Sequence, residues 1–153
     1  MCGVMMSELN RCDTCIYKIG YIGEGVIRDF LTRHKHPYMQ ADLIFKHNNQ
    51  WFLAEVKRQD VFTPPPFLGH GLPLWQIERR LEIQGITGLR AVFFVVDKST
   101  LVIYYNYLDV LYNDDVLRKP NEEIFFTKGA NPEKRRVIFP LKNFKILKEK
   151  LEL

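Results

Sequence analysis

The sequence contains no apolar run long enough to cross a lipid bilayer. Its first residues, MCGVMMSELNRCDTC, also lack the charged segment followed by an apolar stretch that marks an export signal. We therefore expect a protein of a reducing cytoplasm, which would be the host's cytoplasm if the chain comes from a phage or another virus.

Cysteine is scarce, with only three residues, of which Cys12 and Cys15 have the C-x-x-C spacing of zinc and redox sites. A structural zinc site takes four ligands, and the sequence has no second C-x-x-C pair, so His34 and His36 would have to complete it. An iron–sulfur cluster normally takes four thiolates. We favour free thiols, and the sequence leaves a metal at the cysteine pair open.

What the sequence does contain is typical of a globular protein. It has 153 residues, of which 46% are hydrophobic and 13% aromatic, enough for a hydrophobic core in one domain over 1–153. We expect a mobile N-terminal segment over 1–16. The net charge of +4 fits an anionic partner, although many proteins that bind none are equally basic.

The order of elements predicts an α/β (α+β) fold in which helices flank a central mixed β-sheet. A helix is predicted over 20–35, a hairpin from MQADLIFK and QWFLAEVKR, and a proline-rich loop over 62–73. A second helix over 72–86, ended by Gly85 or Gly88, leads into a strand over 91–96 that we expect to be buried on both faces. The remaining predictions are a strand LVIYY, a helix YLDVLYNDDVL, short strands EIFFT and RVIFP, and a last amphipathic helix over 141–153.

Two carboxylates stand on the arms of the predicted hairpin. Asn48 and Asn49 tolerate the positive φ of a type I′ turn, and a turn centred on them places Asp42 opposite Glu55. Because side chains alternate along a strand, Lys57 leaves the same face as Glu55. Like charges directly opposed across two strands are destabilising, so the pair must share a proton or hold a cation. Oxygen ligands alone favour Mg²⁺ or Mn²⁺.

The alternative interpretation is a surface hairpin whose acids point into water and pair with lysines. The apolar residues around the acids argue against it. Ile44, Trp51 and Leu53 share the face of the two acids, and we therefore expect both faces of the hairpin to be covered. The opposite face carries Leu43, Phe45, Phe52, Ala54 and Val56.

Asp42, twelve intervening residues and then Glu55-Val56-Lys57 resemble the motif of the PD-(D/E)XK nuclease superfamily, which has the restriction-endonuclease-like fold. Glu24, in the segment GYIGEGVIRDFL, resembles the additional acid of the Holliday-junction resolvases, to which the chain is most similar. Ala41 departs from the pattern, because the family motif has proline at this position.

The segment WQIERRLEIQ resembles the family's helix that often supplies a glutamine to the site. Gln76 is the first candidate for that glutamine and Gln84 the second. The resemblance covers roughly residues 18 to 105.

This resemblance implies a Mg²⁺- or Mn²⁺-dependent endonuclease that hydrolyses DNA phosphodiester bonds in recombination, repair or phage DNA processing. It assigns the metal to Asp42, Glu55, the Val56 carbonyl and Glu24. Lys57 would orient the attacking water or stabilise the transition state. Gln76 would hold Lys57 or a phosphate. Resolvases of this group act as homodimers, so the resemblance also implies a dimer.

Basic side chains near these residues are candidates for contacts with DNA phosphates. They are Lys35, Arg58, His70, Arg79 and Arg80. The segment NPEKRR, residues 131 to 136, is a second basic cluster, although such a segment is more often just a polar turn. The alternative function is a non-catalytic nucleic-acid-binding or assembly module on the same fold. The DNA structure cut, and whether RNA is a substrate, are left open by the sequence.

Overall fold

The computed structural model describes residues 26–27, 30–35, 43–63, 67–128, 131 and 134–153. The chain divides into two units, Met1–Gln40 and Ala41–Leu153, which are described separately. In the first unit, residues 26–27 and 30–33 are helical, which agrees with part of the helix predicted over 20–35. The segment 1–16 lies outside the described residues.

The second unit contains eight strands and three α-helices among the described residues. The strands are β1 Leu43–His47, β2 Gln50–Gln59, β3 Gly69–Pro73, β4 Arg90–Asp97, β5 Ile103–Tyr107, β6 Phe125–Phe126, β7 Arg136–Pro140 and β8 Lys145–Ile146. The helices are α1 Leu74–Thr87, α2 Leu108–Leu111 and α3 Asp114–Leu117, and a 3-10 helix spans Leu141–Asn143. No helix that the structure describes is long and apolar enough to cross a membrane.

The strands form two sheets. The larger has the order β1-β2-β4-β5-β8, in which β2 and β4 run parallel and the other pairs are antiparallel. The smaller is antiparallel, with the order β3-β7-β6. The large sheet is therefore mixed, and the predicted α/β class with a mixed sheet and helices is confirmed.

The hairpin of β1 and β2 turns where the sequence predicts. Asn48 and Asn49 have φ values of 46° and 65°, the left-handed conformation that a type I′ turn requires at both central residues. The register runs from His47 opposite Gln50 to Leu43 opposite Ala54, as the turn position implies. Asp42 lies one residue before the described part of this hairpin.

Strand β4 is the centre of the core. Ala91, Val92, Phe93 and Val95 are all buried, because β4 lies between β2 and β5 and both of its faces are covered. This confirms the prediction of a strand buried on both faces. Phe93 belongs to the cluster formed with α1 and the small sheet, whereas Val92 packs with residues of β2 and β5.

Helix α1 ends at the second of the two predicted glycines. Gly88 has a φ of 73°, and its N–H donates to the Gln84 carbonyl, so it is a left-handed C-cap that satisfies an otherwise unpaired carbonyl. Ile77 and Arg80 are the buried residues of this helix.

The predicted loop over 62–73 contains a strand, β3, that sequence reasoning missed. Glycine and proline indicated a loop, but Gly69 and Gly71 are needed for close approach to β7. A Cβ atom at Gly69 would lie 2.1 Å from the Phe139 carbonyl oxygen, and one at Gly71 would lie 2.1 Å from that of Val137. In this strand the glycines are a packing requirement.

The predicted helix over 141–153 is wrong. This segment forms the short 3-10 helix and strand β8, and its last residues pack through Leu147, Leu151 and Leu153 against the cluster around Phe52. The Glu152 N–H donates to the Tyr105 hydroxyl at 3.0 Å. Pairing with β5 therefore overrides the helical spacing of the apolar residues.

Two further predictions need correction. The segment YLDVLYNDDVL forms two short helices, α2 and α3, because the Asn113 side chain accepts hydrogen bonds from Asp115 N and Val116 N and starts a new helix. The hairpin face shared with Glu55 is not fully covered. Leu53 is 2% exposed, but Ile44 and Trp51 are 57% and 52% exposed, and on the opposite face Leu43 is 58% exposed, so the expectation that both faces are covered is wrong.

Candidate functional site

Glu55 is a buried acid in the middle of β2, with 2% of its surface exposed. Its Oε2 atom accepts hydrogen bonds from the guanidinium of Arg80 on α1, with Nε at 2.8 Å and Nη2 at 2.6 Å. Both donors therefore converge on one carboxylate oxygen. Because the side chain of Arg80 is also almost fully buried, this is an ion pair removed from water.

The other oxygen of Glu55 faces Lys57. Lys57 Nζ lies 2.6 Å from Oε1. At this distance Oε1 forms a close ion pair with the Lys57 ammonium group. The Lys57 side chain is 29% exposed, so the cluster reaches solvent on this side.

Charge in this cluster is not balanced by the described residues alone. One carboxylate, Glu55, is in contact with two cations, Arg80 and Lys57, which leaves a net charge of +1. Because two cations share one carboxylate, the cluster is suited to a further anionic group.

Arg80 was predicted to contact DNA phosphates, and its buried side chain instead binds Glu55. In this conformation it has no exposed surface to offer a phosphate. A signal in the sequence could have found this role. Arg80 follows Gln76 by four residues and precedes Gln84 by four, so the three polar residues lie on the helix face that also buries Ile77.

The two candidate glutamines have different surroundings. Gln84 Nε2 donates to Asp109 at 2.9 Å, and its Oε1 accepts from Ala91 N at 2.8 Å, so its side chain links α1 to α2 and β4. The buried Oε1 of Gln76 has no hydrogen-bond partner. The choice of Gln76 over Gln84 stays a prediction.

His70, also predicted as a phosphate contact, is completely buried on β3. Its Nε2 lies 3.2 Å from Oδ2 of Asp97. Burial lowers the pKa of His70, and the nearby Asp97 only partly opposes that effect. The imidazole is therefore neutral at pH 7, and in this position it has no surface for a phosphate.

Asp97, at the carboxyl end of β4, is held by its own turn. Its Oδ1 accepts hydrogen bonds from Ser99 N, Thr100 N and Thr100 Oγ1 at 2.8–3.0 Å. The bond from the Thr100 backbone is the largest influence on the pKa of Asp97, which lies below its ordinary value despite burial.

The same end of the large sheet is joined to the small sheet by Gln59. Its side chain both donates to the Gly71 carbonyl and accepts from the Gly71 N–H, each at 3.1 Å. The amide thereby occupies the free edge of β3 as a neighbouring strand would. The contact of His70 with Asp97 is a second link between these sheets.

The other predicted site residues are dispersed. Arg58 and Arg79 are exposed, and Arg79 forms an ion pair with Glu82 at 2.8 Å. Lys35 is exposed in the first unit, where its N–H donates to the Thr32 carbonyl. Val56 pairs with Phe94 in the parallel register. Glu24 and Asp42 lie outside the described residues.

Glu55 is the one acid of the predicted metal site that the structure describes. Among the residues that the structure describes, no three of His, Cys, Asp and Glu come together to hold an ion. Glu55 Oε1 nevertheless fits the role of a ligand, because it is a carboxylate oxygen beside the partly exposed Lys57. The remaining predicted carboxylate ligands are the two acids that are not described.

Comparisons of the chain with protein-family models, with curated proteins and with solved structures found no match.

Proposed function

We propose that this chain is a divalent-metal-dependent nuclease that acts on DNA at the site around Glu55 and Lys57. The observation that carries the proposal is the Glu55 carboxylate itself. It is buried, one oxygen is held by Arg80, and the other is 2.6 Å from the ammonium group of the partly exposed Lys57. The hairpin register from Leu43 opposite Ala54 to His47 opposite Gln50 agrees with the turn on which the predicted pairing of Asp42 with Glu55 was based.

Mg²⁺ or Mn²⁺ would be held by Asp42, Glu55, the Val56 carbonyl and Glu24. Oxygen ligands of this kind suit either ion. When bound, the ion supplies charge neutralisation at the phosphate and a water of lowered pKa.

The chain's own residues have distinct parts in this proposal. Arg80 fixes Oε2 of Glu55 with two hydrogen bonds and so leaves Oε1 as the oxygen that is presented. Lys57, partly exposed beside Oε1, donates to the oxygen on which negative charge develops during hydrolysis. Gln76, whose Oε1 has no hydrogen-bond partner, orients Lys57 or a phosphate.

The test is cleavage of a panel of labelled DNA structures, comprising a four-way junction, a flap, a duplex and a single strand, with Mg²⁺, Mn²⁺ or EDTA. We expect metal-dependent products, and we expect Glu55→Gln or Lys57→Met to reduce the rate by at least about a thousandfold, as is found when groups that stabilise the transition state are removed. Matched controls are Glu82→Gln and Lys46→Met, which change exposed residues of the same types.

Cleavage that continues in both Glu55→Gln and Lys57→Met, with the melting temperature checked for each, would refute the assignment of this site. Cleavage that is equal in EDTA would refute the metal dependence.

A second candidate function is a non-catalytic nucleic-acid-binding or assembly module, and Arg80 is the observation that favours it. With Arg80 and Lys57 both in contact with Glu55, a carboxylate at position 42 would make the cluster neutral without any metal. On this hypothesis Mg²⁺ leaves the melting temperature unchanged. On the nuclease hypothesis Mg²⁺ raises it, because a ligand that binds only the folded state stabilises that state.

The homodimer, the cytoplasmic location and the preference for branched DNA belong to the same proposal. They rest on the resemblance, and sedimentation of the purified chain with and without a DNA junction tests the dimer.

A further inference from the structure

Positive charge is concentrated in the last part of the chain. Residues 128–153 contain eight basic and three acidic residues, a net charge of +5, whereas the whole chain carries +4. Three consecutive cations, Lys134, Arg135 and Arg136, lie at the start of β7, and all three are exposed.

The two arginines are held by aromatic rings. The Cζ of Arg135 lies 5.1 Å from the centre of the Phe126 ring, and that of Arg136 lies 5.7 Å from the centre of the Phe62 ring. A guanidinium over a ring keeps the N–H donors in its plane free for an anion. Within the described part of the chain, neither arginine forms an ion pair with a carboxylate.

A fourth cation belongs to this group. Thr127 N donates to the Arg136 carbonyl at 2.9 Å, and Arg136 N donates to Thr127 Oγ1 at 2.9 Å, so the exposed Lys128 follows at the same end of the small sheet. We call Lys128, Lys134, Arg135 and Arg136 the basic patch. Arg136 is the first residue of β7 and Arg135 directly precedes it, and their guanidinium groups lie over two different rings, those of Phe62 and Phe126.

The basic patch adjoins the start of α1. Leu74 N donates to the Arg135 carbonyl at 2.8 Å, and the first turn of α1 contains no acidic residue. Along the helix, Arg80 is about 9 Å from Leu74 at a rise of about 1.5 Å per residue. The patch therefore lies beside the helix that carries Gln76 and Arg80 of the candidate site.

We infer that the basic patch binds the phosphate backbone of a nucleic-acid strand. The identity of the polyanion rests on the proposed function, whereas the location rests on the contacts above. Arginine with free in-plane donors matches phosphate geometry in a bidentate manner, which an exposed lysine does not. A nucleic-acid strand bound at the start of β7 would extend along α1 towards Lys57.

The experiment measures the affinity of the full chain for a labelled single-stranded oligonucleotide in EDTA over a range of KCl concentrations. The variant is Arg135→Gln with Arg136→Gln, and the matched control is Lys148→Gln with Lys150→Gln, two exposed lysines of the same basic segment. We expect the arginine variant to bind about tenfold more weakly. Its slope of log affinity against log salt should decrease by about 1.4, since each phosphate contact to a single strand contributes about 0.7.

Three results would overturn the inference: no binding by the unaltered chain, an equal loss in the lysine control, or competition by polyglutamate as strong as that by DNA. The single arginine variants replace the double one if it fails to show a cooperative melt.

The two proposals can fail separately. Binding that depends on the patch without any metal-dependent cleavage refutes the nuclease, and cleavage that is unaffected by the arginine variant refutes the patch.

Discussion

Glu55 and Asp97 are both acids on parallel neighbouring strands, exposed by 2% and 4%, yet their surroundings differ. Asp97 receives three hydrogen bonds on one oxygen from its own turn, within three residues along the chain. Glu55 receives its hydrogen bonds from Arg80, 25 residues away, and its second oxygen is in an ion pair with Lys57.

The difference teaches that burial alone does not identify a functional acid. Asp97 stabilises a turn, and local donors account for its burial. Glu55 is held by a buried ion pair with Arg80 that is costly to assemble, and its other oxygen is in an ion pair with the partly exposed Lys57.

The largest expected effect is on stability, and it differs between two adjacent arginines of α1, Arg80 and Arg79. Replacing Arg80 by Leu should lower the free energy of unfolding by about 3 kcal/mol, because it leaves the Glu55 carboxylate buried with Lys57 as its only cation. Replacing Arg79, whose exposed ion pair is with Glu82, should cost less than about 1 kcal/mol. Urea unfolding of both variants measures the difference.

An equal decrease in the free energy of unfolding in the two arginine variants would show that the ion pair of Arg80 with Glu55 stabilises the fold no more than that of Arg79 with Glu82. The double variant Arg80→Leu, Glu55→Gln sharpens the result, because removing both charges should recover part of the lost stability.

The next effect concerns Asp97. Replacing it by Ala should lower the free energy of unfolding by about 2 kcal/mol, since the N–H groups of Ser99 and Thr100 lose a charged acceptor. The matched control is Asp60→Ala, in which the carboxylate is 67% exposed and 3.8 Å from Lys98. We expect little change in that control. A stable Asp97→Ala protein would contradict a structural role for this acid.

The smallest effect is a dependence of stability on pH. Burial lowers the pKa of His70 below its ordinary 6.5, so below that pH the unfolded chain binds a proton that the folded chain does not. The free energy of unfolding should therefore decrease as the pH falls from 7.5 through 6.5 towards the lowered pKa. The pKa of Asp97 lies below its ordinary 3.8, so protonation of this carboxylate also decreases the free energy of unfolding, but only at much lower pH.

Unfolding in urea at a series of pH values measures this dependence. In the His70→Gln variant, the free energy of unfolding should vary less with pH as the pH falls from 7.5 through 6.5. In the control His47→Gln, which changes a residue of the hairpin, the pH dependence should be that of the unaltered chain. If the pH dependence of the free energy of unfolding is unaltered in His70→Gln, it arises from groups other than His70.

Several elements could be predicted because their signals are local. The Asn48-Asn49 turn, the buried run of β4 and the end of α1 at Gly88 each depend on residues within one element. The missed elements depend on partners. Strand β3 exists because two glycines allow β7 to approach, and the last segment pairs with β5 instead of forming a helix.

For the candidate site, the sequence by itself determined that Glu55 and Lys57 share a face of β2, because alternation along a strand is a property of the backbone. It also determined the hairpin register, because two adjacent residues with positive φ permit only a narrow set of turns. Only the tertiary structure decided that Arg80 binds Glu55 and that His70 is buried against Asp97. Both contacts join residues on different elements, and packing of the helix and the small sheet against the large sheet brings them together.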